Sequence, residues 1–148
     1  MASVIVDDVD RIMMIMECAF DPAWGEAWNR RQISDSMTMP NIYHRVFEAE
    51  GRPAGFTLVR SAPGEEELLL IAVAPEFRKA GLARRMLGEV IVDARRRGAE
   101  QLFLEMRANN TAIALYQNIG FEPIGRRADY YWTPEGKAID AITFCLKL

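Results

Sequence analysis

An apolar run that stops at a proline, then a short basic turn, then an amphipathic helix: this order constrains the chain more than any other feature. The run closes with Ile71, Ala72, Val73 and Ala74, and Pro75 breaks it. The turn contains Arg78, Lys79, Ala80 and Gly81, and a helical pattern opens at Leu82, Ala83 and Arg84. A strand feeding a helix through a tight turn gathers unbonded main-chain N–H groups and the positive end of a helix dipole at one point, here flanked by cations. Such a point binds phosphate or pyrophosphate. A side chain at Gly81 would hold a diphosphate away from the main chain. Neither Gly-x-x-x-x-Gly-Lys-Ser/Thr nor Gly-x-Gly-x-x-Gly occurs, which excludes the two best-known phosphate loops; a plain surface turn is the alternative.

That unit belongs to a single domain, because 148 residues support one substantial core and not two. Val9, Ile12, Met13, Met16 and Phe20 recur at helical spacing, so 7–20 reads as a helix capped by Asp7 or Asp8. A second helix is expected over 24–37, closed by Pro40. Strands over 43–49 and 54–60 flank a turn at Glu50-Gly51, and the apolar run 68–73 is a third. The long helix 82–97 stops at Gly98, and Arg95-Arg96-Arg97 read as its solvated end, where cations complement the dipole. A strand at 101–107, a helix at 111–119 stopped by Gly120, and a closing strand pair at 121–127 and 138–146 complete the order. Tyr130-Tyr131-Trp132 and Pro134-Glu135-Gly136 are expected to form an aromatic loop, and Val4 to Val6 a further short strand. The expected fold is a mixed α/β sandwich with helices on both sheet faces.

Composition narrows the function classes. A net charge of -3 leaves no electrostatic footprint for duplex nucleic acid and suits a cationic partner better. Cys18 and Cys145 lack Cys-x-x-Cys spacing and read as buried free thiols of a reducing compartment. His44 is the single histidine, so no multi-His metal site is expected; within its apolar strand it reads as a structural side chain. No apolar stretch approaches the ~20 residues of a membrane span, which points to a cytoplasmic protein, monomeric or homodimeric, with no membrane partner.

Arg78-x-x-Gly81-x-Ala83 after an apolar strand resembles the acyl-coenzyme A loop of the GNAT acetyltransferases. The likeness continues through Leu102-Phe103-Leu104-Glu105-Met106-Arg107, Asn109-x-x-Ala112-x-x-Leu115-Tyr116 and Gly120-Phe121. With Arg126-Arg127, Tyr130-Tyr131, Pro134-Glu135-Gly136 and Asp140-Ala141, it is most similar to the ribosomal-protein-alanine N-acetyltransferase branch. The convincing part covers about residues 66–146. Three features depart from the branch pattern: Glu105 to Asn109 is one residue shorter, Arg127 to Tyr130 one residue longer, and Ile139 replaces an acidic residue.

The resemblance implies a three-layer GNAT fold with a splayed central sheet, acetyl-coenzyme A as acetyl donor, and a primary amine as acceptor. It implies that the main chain of Ile71, Ala72 and Val73 pairs with the pantetheine arm, with the Val73 N–H facing the thioester oxygen. Lys79, Ala80, Gly81, Leu82, Ala83 and Arg84 would cradle the diphosphate. Asn109 would hold the pantetheine arm or simply cap a helix. Glu105 is implied as general base, against the plainer readings of an exposed edge residue or a partner for Arg107, and Tyr116 as general acid, against a core tyrosine. Tyr130, Tyr131 and Trp132 line a peptide entrance or cover the sheet end. The preferred acceptor is a protein N-terminus; the alternatives are a small amine or a non-catalytic acyl-coenzyme A binding module.

Overall fold

The computed structural model describes residues 7–20 and 26–148. The expected strand at Val4 to Val6, and the start of the expected helix at Trp24, lie outside the described residues. Helix α1 (Asp8–Ala19) begins where the Asp7 carboxylate accepts the Asp10 N–H at 2.9 Å. Helix α2 (Arg30–Met37) starts later than the periodicity suggests, because Asn29 and Gln32 exchange side-chain to main-chain bonds in a capping box. Strands β1 (Ile42–Ala49), β2 (Arg52–Ala62) and β3 (Glu65–Val73) follow, then a 3-10 turn at Pro75–Phe77. Helix α3 (Leu82–Arg96), β4 (Gln101–Arg107), α4 (Ile113–Ile119), β5 (Glu122–Trp132) and β6 (Ala138–Lys147) complete the chain. No helix among the described residues is long and apolar enough to cross a membrane.

The thiols expected to be buried are not, since Cys18 is exposed and Cys145 half-buried. Of the expected aromatic loop, Pro134-Glu135-Gly136 is a turn, closed by the Gly136 N–H on the Thr133 carbonyl at 3.0 Å, but the aromatic half is not. Tyr130, Tyr131 and Trp132 belong to β5, with Tyr131 opposite Ile139 and Trp132 opposite Ala138. The pairing slips between Arg127 and Tyr131, where Asp129 takes a left-handed φ of 53° and its N–H donates to the Asp140 carboxylate at 2.9 Å. The extra residue between Arg127 and the tyrosine pair is absorbed in this bulge, and strand pairing resumes beyond it.

Among the described residues six strands run in the order β1-β2-β3-β4-β6-β5, all neighbours antiparallel except β3 and β4. Helices α1 and α2 bury Ile12, Ile15, Met16 and Ile33 against Phe56, Leu58, Leu70 and Ala72 on one face. On the other, Leu87 and Val90 of α3 and Tyr116 of α4 pack with Leu68, Leu102, Leu104, Met106 and Phe144. Helix α3 lies so close to the sheet that only glycine fits at 55, where a Cβ would stand 2.7 Å from the Met86 sulfur and 2.9 Å from the Ala72 carbonyl oxygen.

Two arginine pairs pin α3 to this face. Arg45 of β1 grips Asp93 at 2.6 and 2.9 Å, and its hydrogen bond holds the Asp93 carboxyl below the ordinary aspartate range. Arg97 bonds Glu66 twice, at 2.6 and 2.7 Å, and lies 4.0 Å over the Tyr43 ring. Glu66 is 1% exposed and also accepts from the Ser61 hydroxyl at 2.9 Å. The reading of Arg95-Arg96-Arg97 as one solvated helix end is therefore corrected: Arg95 and Arg96 are exposed, while Arg97 anchors the helix to a buried carboxylate.

Helix and sheet are clamped at one end of β3 and released at the other. Strand β3 pairs with β4 only from Glu65 opposite Gln101 to Leu68 opposite Leu104. At that point β3 carries an extra residue relative to β2, since Leu58 faces Leu70 and Val59 faces Leu68, leaving Leu69 unmatched. Such a bulge bends its strand, and beyond it β3 and β4 separate into a split.

Removing one partner of a buried charge pair leaves the other uncompensated. Glu66→Ala is expected to lower stability by about 3–5 kcal/mol, read as a fall in the urea midpoint with unchanged m-value.

Candidate active site

The split exposes a free edge of β3. In the antiparallel ladder with β2, Ala74 donates to the Ala54 carbonyl at 2.8 Å, so Ala72 and Leu70 also bond toward β2. Ile71 and Val73, one residue out of phase, turn their N–H and C=O groups into the split. Of the three residues expected to present main chain there, Ile71 and Val73 do so; Ala72 belongs to the ladder, and its side chain to the α1/α2 core.

The loop after β3 ends at an uncapped helix. Lys79 and Gly81 both take left-handed φ values, 65° and 78°, and Gly81, the N-cap of α3, offers no side-chain cap. The first helical N–H to reach a carbonyl is that of Arg85, bonded to Gly81 at 3.1 Å. The N–H groups of Leu82, Ala83 and Arg84 therefore stand ahead of the ladder, at the positive end of the dipole. A Cβ at Gly81 would meet nothing within 4 Å, so glycine is required there by the backbone conformation and by whatever approaches from outside. Arg84 reaches α4, donating to the Asn118 side-chain oxygen at 2.8 Å.

Two cavities occupy the cleft. The larger, 620 Å³, lies between the loop and α4 and is lined by Val73, Lys79, Gly81, Leu82, Ala83 and Arg84, among others. Ala80 is exposed and is not part of this lining. The smaller, 470 Å³, fills the split between β3 and β4. Both share Phe20, Glu26, Asn110 and Ala112, so they form one continuous cleft. Asn110, and not Asn109, is the asparagine on its wall. Asn109 is exposed and accepts from Arg107 at 3.0 Å, whereas the Asn110 carboxamide bonds the Ala112 N–H at 2.8 Å.

Glu105 and Tyr116 come from opposite faces of the sheet and open on the same cavity. Along β4 the side chains of Leu102, Leu104 and Met106 enter the α3/α4 core, so Glu105 projects from the other face. Its carboxylate is one-fifth exposed, pairs with Arg127 at 3.2 Å and accepts the Thr143 hydroxyl at 3.2 Å. Arg107, named as a partner in the plainer reading of Glu105, bonds Glu26 at 3.2 Å. Tyr116 is 5% exposed, its ring edge-on to Phe121 at 5.7 Å. Among the described residues its hydroxyl has no partner, yet no buried polar atom is unsatisfied, so the hydroxyl is open to the cavity. Burial raises its pKa well above the ordinary phenol range.

Several lining residues escaped the sequence reading. Phe20, Glu26, Trp28 and Glu67 reach the cavity only through the tertiary fold. Tyr131 also lines it, its pKa pushed up to about 12 by burial first and then by the charges of Glu105 and Glu26. His44 is, as expected, a satisfied side chain, 2.7 Å from Asp8.

A splayed mixed sheet, an uncapped helix at the cleft and a free strand edge define an acyltransferase domain of the GNAT class. Residues 9–121 match the acetyltransferase (GNAT) family, and the chain belongs to it. The chain is 38% identical over 99 residues to the ribosomal protein bS18-alanine N-acetyltransferase of Escherichia coli (strain K12), a region spanning 66% of each protein. The enzyme of the same name from Salmonella typhimurium is 40% identical over 101 residues, 68% of each. The crystal structure of the Escherichia coli ribosomal-protein-S18-alanine N-acetyltransferase superposes with a TM-score of 0.85 at 30% identity, covering 99% of this chain and 91% of that one. A GNAT family acetyltransferase from Elizabethkingia anophelis, solved with acetyl-CoA bound, shares the fold at 20% identity, with a TM-score of 0.70 over 81% of this chain and 84% of that one.

The phenol of Tyr131 is expected to titrate near 12, about two units above free tyrosine, in an ultraviolet pH titration. Its neutral form is favoured by the fold, so the corresponding stability is full below pH ~10 and is lost as pH rises toward the folded value. Glu105→Gln removes one of the charges that raise it and is expected to move that titration back toward 10.

Proposed function

We propose that this chain transfers acetyl from acetyl-coenzyme A to a primary amine, preferably the N-terminal α-amino group of a protein of the ribosomal-protein-alanine type. Its relatives named for that reaction support the choice of acceptor. The observation that carries the reading is the shared opening of Glu105 and Tyr116 on a cavity continuous with the uncapped start of α3.

The coenzyme supplies an activated thioester. The N–H groups of Lys79 to Arg84 receive its diphosphate, and the free edge of β3 pairs with its extended arm as an added strand would. The Val73 N–H is positioned to donate to the carbonyl oxygen as negative charge develops there. Asn110 replaces Asn109 as the side chain set beside the arm. Attack by the amine is direct. Glu105 takes up the ammonium proton through water, which an α-amino group with a reference pKa near ~8 releases readily. Tyr116, whose raised pKa keeps it protonated at neutral pH, returns a proton to the departing sulfur.

The test presents the protein with acetyl-coenzyme A, peptides with different N-terminal residues and common small amines, and follows thiol release. Acetylation of peptides that begin with alanine or another small residue is expected. Turnover with small amines alone would move the acceptor assignment, and no turnover with intact coenzyme binding would leave a binding module. Tyr116→Phe is expected to slow transfer by ~10²–10⁴ while coenzyme affinity stays within a few-fold; loss of binding instead would make Tyr116 structural.

A further inference from the structure

Arg78 opens the diphosphate-loop motif, and its charge invites a role as a phosphate ligand. Its hydrogen bonds lead elsewhere. Nη2 donates to the main-chain oxygen of Ala19 at 2.5 Å, and Nε to that of Val73 at 3.3 Å. Ala19 is the last residue of α1, a helix with no basic residue in its own last turn. Its terminal carbonyls, at the negative end of the dipole, gain no cation from within the helix. Arg78 supplies one from 59 residues further along the chain.

One guanidinium therefore ties together the end of α1, the end of β3 and the loop itself. Ala19, Val73 and Arg78 all line the 620 Å³ cavity, so the tie spans its wall. Past Ala19 come Phe20 and Glu26, which line both cavities, and Trp28, which lines the 470 Å³ cavity holding Glu105 and Tyr116. We infer that Arg78 is a positioning residue that couples occupancy of the diphosphate loop to the cleft wall formed by Ala19, Phe20, Glu26 and Trp28. The inference rests on the reading of residues 79–84 as the coenzyme loop.

The physical link is loss of conformational freedom. A diphosphate held by the amides from Lys79 to Arg84 fixes the main chain next to Arg78. The guanidinium is then held over the Ala19 and Val73 carbonyls, and the end of α1 is fixed with it. The effect is reciprocal, so an ordered wall strengthens coenzyme binding by the same factor. A phosphate ligand would behave differently, acting on affinity and leaving the wall alone once the site is full.

The experiment compares wild type, Arg78→Gln and Arg78→Lys, each free and saturated with acetyl-coenzyme A. Calorimetry measures binding, and NMR-detected amide exchange is read at Phe20, Glu26 and Trp28. In wild type, saturation is expected to slow exchange at these amides. In Arg78→Gln, coenzyme still binds, weaker by about tenfold or less, and the slowing disappears even at saturation. Arg78→Lys, which can reach one carbonyl at a time, keeps part of it; a thermal melt verifies folding, and the lysine variant carries the test should the glutamine variant unfold. Slowing in either variant equal to that of wild type at saturation overturns the coupling. So does its absence in a wild-type protein that binds coenzyme. Absence of coenzyme binding in wild type would instead sink the functional reading, and the coupling with it.

Discussion

The unmatched residue Leu69 is the constraint on which the cleft depends. Parallel pairing of β3 and β4 lasts only from Glu65 to Leu68, and the bulge turns the rest of β3 away. The separation has two consequences. It leaves Ile71 and Val73 with main-chain groups that β4 no longer satisfies, and an unpaired strand edge is a template for an extended partner. It also joins the two faces of the sheet. Glu105 projects from one face and Tyr116 from the helix layer on the other, and a continuous sheet would keep them apart. Only through the split do they share a cavity.

A split sheet needs a closed end, and the Glu66–Arg97 pair supplies it. Glu66 lies within the four-residue stretch where β3 still pairs with β4, opposite Leu102. Its two bonds to Arg97 attach the last turn of α3 at that closed end. Gly55 then lets the middle of the helix lie against β2, with Met86 nearly touching the main chain. Anchored behind and pressed down in the middle, α3 holds its uncapped first turn at the open end, beside the free edge of β3. The energetics of a buried ion pair and the position of a ligand-binding helix terminus are in this way one structural fact.

Much of this arrangement was legible in the sequence, because it is written in local patterns. Helical and strand periodicity gave the element order from α1 to β6, and the strand-turn-helix motif located the uncapped amides. Glu105 and Tyr116 were singled out only through the family resemblance, since their own surroundings in the sequence favour an edge carboxylate and a core phenol; in the fold both line one cavity. What stayed hidden is non-local or depends on a single residue of register. Arg97 looks like its neighbours Arg95 and Arg96, and nothing nearby says that Glu66, 31 residues earlier, waits for it. Leu69 is invisible as a bulge inside an apolar run. The bulge at Asp129 disguises the return of Tyr130 to Trp132 to strand pairing. Asn109 and Asn110 are chemically identical, and only the loop conformation decides which faces the cleft.

The charges around the smaller cavity are balanced pair by pair. Its lining contains the carboxylates of Glu26, Glu67 and Glu105, and each meets an arginine: Arg107, Arg60 and Arg127. The two residues proposed for proton transfer stand in contrasting surroundings. Glu105 bonds a guanidinium and a hydroxyl. Tyr116 has an apolar core around its ring and only its hydroxyl at the cavity, conditions that keep it neutral. These contrasting contacts fit the proposed division of base and acid roles between the two residues. Here the division follows from geometry already accounted for: the polar partner lies on the exposed face of β4, the apolar one in the α3/α4 core, and the split between β3 and β4 lets both reach the same space.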